Sequence, residues 1–72
     1  MINGNDYEII INRNYIHIKN YNRIIDICDN RIKLVLNNNI VLINGNCLIV
    51  CAIDEYEIVI KGYITSIEYI NE

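Results

Sequence analysis

The side chains able to do chemistry are few: Cys28, Cys47 and Cys51, the lone His17, and Thr65 and Ser66 as the only aliphatic hydroxyls. Three cysteines and one histidine match a Cys3His zinc set in number, but the close-paired spacing that zinc ligands show is missing. Cys47 and Cys51 lie four residues apart, on one face of a straight strand and about 13 Å from each other, too far for a disulfide. An odd number of thiols then reads as reduced cysteines packed in a core. A hydroxyl, a histidine and an acid all exist, yet no nucleophile elbow or phosphate-cradling loop surrounds them. His17 alternates with Ile16 and Ile18, as a solvated strand residue does. Asp54, Glu55 and Glu57 read as a solvated acidic turn. Neither catalysis nor a cofactor is expected from this inventory.

Charge narrows the partners. A net charge of -3 with six Lys and Arg in all provides no basic stripe for phosphates, so nucleic acid is not an expected partner. Arg13, Arg23 and Arg31 stand in or beside turns, where they blunt edges or pair with acids such as Asp26 and Asp29. Apolar runs end well short of the roughly 18 residues a membrane helix needs. The opening "MINGNDYEII" has no basic region or small-residue cleavage site, so a cytoplasmic location is expected.

The elements that position these residues are strands. The chain is 53% hydrophobic with no Trp, Phe or Pro, its apolar mass being Ile, Leu, Val and Tyr, the side chains that suit a pleated, half-buried surface. Clusters of Asn, Asp and Gly punctuate it at residues 12–14, 19–22, 29–30, 37–39, 44–46, 54–55 and 61–62. The intervals fit strands but not helices. Strands are expected at Tyr7–Ile11, Tyr15–Lys19, Ile24–Cys28, Ile32–Leu36, Ile40–Ile43, Cys47–Cys51, Tyr56–Lys61 and Tyr63–Ile70. Asn44-Gly45 is the strongest hairpin signal among the turns, since both residues accept positive φ. The expectation is an all-β domain over residues 1–72, about seven to eight short, mostly antiparallel strands in a meander closed into a small sandwich or roll. The alternative is a β-solenoid-like stack.

Some strands alternate cleanly, but Ile9–Ile11, Ile40–Ile43 and Cys47–Ala52 are apolar on both faces. Exposing a Val, Leu or Ile forfeits about 1.5–3 kcal/mol, so several on one open face would rival the roughly 5–15 kcal/mol stability of a domain. A second copy or another protein is therefore expected on that face. The candidate contact residues are Ile40, Leu42, Cys47, Ile49 and Val50, with Tyr63 and Tyr69 on a closing strand able to add a partner strand.

Several spacings occur together. Asn12-Arg13 precedes a strand, Gly45 and Leu48 form a G-x-x-L step, and Ile60, Gly62, Ile64, Ile67 and Tyr69 form I-x-G-x-I-x-x-I-x-Y. With the leading "NDYEIIINR", the chain resembles the YabP/YqfC family of sporulation proteins, and the YabP branch more closely, over about residues 6–70. Asn20, where that family commonly has a small turn residue, and the Cys-rich strand depart from its pattern. The resemblance implies a non-enzymatic role in the mother cell of a sporulating bacterium, at or near the forespore surface, in building the spore cortex or coat. Self-association or another sporulation protein is the implied partnership, with no membrane span. The rival is a small ligand- or metal-binding β module. Asn44 and Gly45 are expected to make a turn, Gly45 with positive φ, and Gly62 to admit a bend or bulge.

Overall fold

With no run suited to a helix, backbone N–H and C=O groups find their partners mainly across strands. The computed structural model describes residues 7–71; the first residues of the family-like stretch therefore lie outside the described residues. Six strands form one open antiparallel sheet: β1 (Glu8–Ile11), β2 (Tyr15–Lys19), β3 (Arg23–Ile27), β4 (Arg31–Leu36), β5 (Asn39–Ile53) and β6 (Glu57–Asn71). The order is β1-β2-β6-β5-β4-β3, all neighbours antiparallel. The all-β class stands, and the single antiparallel ladder leaves no room for a solenoid stack. The sheet does not close into a barrel, because β1 and β3 are its two edges.

Two expected hairpins do not exist, which lowers the strand count to six. Ile40–Ile43 and Cys47–Cys51 are one 15-residue strand, and the two C-terminal runs are another. Asn44-Gly45 is not a turn but the first of three register shifts between β5 and β6, at Asn44/Gly45, Asn46/Ile49 and Val50/Ala52. The reason is steric. A Cβ on Gly45 would lie 2.0 Å from the Tyr63 carbonyl oxygen, so this glycine is needed for close backbone approach rather than for positive φ. Left-handed backbone falls instead on Cys47, with φ 55°, and on Gly62, with φ 132°. Gly62 does open a bulge, as expected.

These bulges bend the long pair, since an extra residue kinks a strand and increases its twist. At one end β2 pairs with Glu57–Lys61 of β6; at the other β4 pairs with Asn39–Asn44 of β5. The bend folds the two ends over each other and they share one core. Ile16, Ile18, Ile58 and Ile60 from one end and Ile32, Leu34, Leu36, Val41 and Ile43 from the other are all fully buried in a single cluster, with Leu48 at the bend. Backbone bonds pin the fold there: the amides of Gly45 and Leu48 donate to the carbonyls of Asn30 and Asp29 at 3.1 and 2.7 Å.

Turn chemistry follows the side chains. Asn20 and Asn37 take positive φ at 61° and 59°, which Asn tolerates better than most residues. Asn22 brackets the β4–β5 turn, donating from Nδ2 to the Asn37 carbonyl at 3.2 Å and accepting the Asn37 amide at 3.3 Å. Between β5 and β6, Asp54 Oδ1 accepts the amides of Tyr56 and Glu57, each at 2.8 Å. The Asn20 amide donates to the Tyr56 carbonyl and the Tyr21 hydroxyl to the Asp54 carbonyl, tying the β2–β3 link to this tip.

Cys47 is exposed, so its side chain contributes little packing while its backbone sits where L-residues pay a steric penalty. Left-handed backbone costs a non-glycine residue about 1–2 kcal/mol, against about 0.5–1 kcal/mol of extra chain entropy for glycine. Cys47→Gly is therefore expected to raise stability by about 0.5 kcal/mol. A higher urea midpoint at unchanged slope is the readout.

Candidate functional site

Residues able to act chemically are dispersed by this fold. His17 and Glu57 are diagonal neighbours on the outward side of β2 and β6, where register sets His17 opposite Val59 and Glu57 opposite Lys19; both are half-buried, with Nε2 donating to Oε1 at 2.9 Å. Thr65 Oγ1 donates to the Asn44 carbonyl at 3.1 Å, and Asn44 Nδ2 donates to Ser66 Oγ and Glu68 Oε2, both at 3.1 Å. The hydroxyls are thus part of a polar link across β5 and β6, remote along the sheet from His17. Asp54 uses one oxygen as a turn acceptor, and those amide hydrogens hold its carboxyl below its ordinary pKa. Among the described residues no enclosed cavity is present and no group of His, Cys, Asp and Glu gathers as metal ligands.

The three cysteines correct the expectation of core thiols: all are free and exposed. Cys28 follows β3 in a turn, Cys47 occupies the central bulge, and Cys51 is the unpaired residue of the third shift. Two bulges between Cys47 and Cys51 also remove the simple alternation that would set them on one face. At Cys28, the adjacent Asp26 carboxylate holds the thiol above its ordinary pKa, by its charge first and also by accepting the S–H bond at 3.6 Å. The arginines form no ion pair among the described residues.

The predicted contact residues separate onto different surfaces. Ile40 and Leu42 lie on the outward face of β5, half-buried, while Val41 and Ile43 between them point into the core. Ile49 is 61% exposed, but Val50 packs against the core, so adjacent residues serve opposite faces. Tyr63 and Tyr69 are 77% and 56% exposed on the C-terminal half of β6. That half, beyond the reach of β2, pairs only with β5. Sequence reasoning missed Val35 and Ile70. Register puts Val35 opposite Ile40 and Ile40 opposite Ile70, so the three form a row across the outward face. The even spacing of Val35 from Lys33 and Arg31 carried that signal, since residues two apart share a face.

Chemically, this surface can pack against another surface; among the described residues no side chains converge on a point where a small molecule would react. The family model described as YabP family matches residues 4–72. No curated protein matches the chain. No solved structure matches it.

Proposed function

We propose, from the premise that the chain belongs to the YabP family, that it is a non-catalytic sporulation protein working as a structural or interaction module in spore-envelope assembly. Its place is the mother cell, at the forespore surface. The observation that supports an interaction role is the outward apolar row Val35, Ile40 and Ile70, which continues past Leu42 in the next row of the same face. Val35 is already covered at one end of this strip, Ile40 and Leu42 are half-buried and Ile70 is exposed, so what the strip offers is a small contiguous apolar patch, the kind of surface that serves for docking.

The role is tested by a fluorescent fusion under the native promoter in an endospore-forming host. Signal that begins after asymmetric division, is confined to the mother cell and outlines the forespore supports the reading. Signal in vegetative cells, or inside the forespore, overturns it.

A further inference from the structure

The outward face over β3–β6 carries charge in a pattern that matches itself. Register aligns Lys33, Leu42 and Glu68 in one row across β4, β5 and β6. Beside it, Val35, Ile40 and Ile70 form an apolar row across β4, β5 and β6 that ends at Arg23 on β3, and Arg31, Asn44 and Ser66 form a polar one. The middle row thus reads cation, apolar, anion, centred on β5. Among the described residues Lys33 and Glu68 make no ion pair, and two strand spacings, roughly 10 Å, separate them.

We infer that this face is covered by a second copy of the chain, packed sheet to sheet about a twofold axis running along β5. This inference rests on the interaction reading above and names its partner. Such an axis keeps each row level and exchanges its two ends. Lys33 of one copy then meets Glu68 of the other, twice per dimer. Leu42 meets Leu42, Ile40 meets Ile40, and Val35 meets Ile70. A twofold across the strands instead sets Lys33 over Lys33 and Glu68 over Glu68, so charge selects one arrangement. Asp26, beside Lys33 on the edge strand β3, lies beyond the partner's β6 and meets no acid. The facing layers are about 10 Å apart, as in other aligned sandwiches.

Edge pairing through Tyr63–Ile70 is the competing mode. It is disfavoured by the register shift around Thr65, because a bulge turns an edge away from a flat partner strand. The face is small and Val35 is already only 6% exposed; a patch of this size gives a weak dimer rather than an obligate one.

The test is sedimentation equilibrium of the reduced full chain from about 10 µM to 1 mM, a range suited to weak association, for the wild type, Lys33→Glu, Glu68→Lys and the double exchange. Circular dichroism melts establish that each variant is folded. The expected result is a monomer–dimer equilibrium whose dissociation constant rises about tenfold or more in each single variant. The double exchange recovers the wild-type constant to within about threefold, since it restores both opposite-sign pairs between the copies; the Asp26–Lys33 neighbours within each chain become like-charged, which the melts read separately. A wild type monomeric throughout overturns the inference, as does a dimer indifferent to both single exchanges or a folded double variant that does not recover. The second of these outcomes points to edge association. None of them moves the mother-cell signal of the fusion, so failure here is distinguishable from failure of the sporulation reading.

Discussion

Gly45→Ala is expected to leave the protein largely unfolded at room temperature. The added methyl carbon would stand 2.0 Å from the Tyr63 carbonyl oxygen and 3.0 Å from Leu48 Cδ2. The first of these is backbone in a paired strand and cannot rotate away, so β5 and β6 would have to separate where the bend is made. Gly62 guards the opposite side of the same bend. A Cβ there would meet the Cys47 carbonyl oxygen at 2.6 Å, at a φ of +132°, and such glycine-only backbone alone costs an L-residue about 1–3 kcal/mol. The backbone clash at Gly45, and clash together with strain at Gly62, put either substitution above roughly 4 kcal/mol, against a total of about 5–15 kcal/mol for a natural domain. Far-UV circular dichroism and urea titration read the loss. Asn46→Ala, one residue from Gly45 and exposed, should remain folded and shows whether the effect belongs to the glycine. A Gly45→Ala protein as stable as the wild type would mean that the two long strands are not joined as described.

Leu34→Ala should cost about 2–5 kcal/mol, because a fully buried leucine loses transfer free energy and leaves a cavity in a core too small to redistribute it. Leu34 is 0% exposed and sits opposite both Ile24 and Val41. For a chain of this length the loss corresponds to a fall in Tm of about 10–30 °C. Tyr63→Ala, at a side chain 77% exposed, should change stability by no more than about 0.5 kcal/mol. The more telling observation is the shape of the Leu34→Ala transition. One core joins β2 and β6 at one end to β4 and β5 at the other, so both ends should melt together in a single step. Two transitions, one sparing β1–β2, would mean that the ends have separate cores.

Much of the fold can be read from single residues. Tyr15–Lys19 is a strand with the predicted bounds, because Ile16 and Ile18 alternate with polar neighbours. The limits of β1, β3 and β4 shift by a residue or so, for the same reason. What sequence does not separate is a hairpin from a bulge, since both place Asn and Gly between apolar runs. At Asn44-Gly45 the outcome is decided by the Tyr63 carbonyl on another strand, which no local pattern encodes. The cysteines mislead similarly: Cys47 and Cys51 occupy irregular positions that expose them, overriding their usual preference for the interior. Of the candidate contact residues, Ile40 and Leu42 are legible from the unbroken run they belong to. The charges flanking them are not, because Lys33 and Glu68 become row-mates only through register across three strands.

The strand order also sets a sequence of events for folding. β3, β4 and β5 are successive hairpin partners, and β6 returns along β5 through a short turn; these contacts close small loops. The seam between β2 and β6 joins residues far apart in the chain, from Lys19 with Glu57 to Tyr15 with Lys61, and closing it costs more chain entropy than any neighbouring hairpin. The β1–β2 hairpin should therefore dock last, onto a meander already formed. Until it arrives, the core face of Ile58 and Ile60 stands open on the newly made strand, and the nascent protein passes through a brief stage in which it is stickier than its finished form.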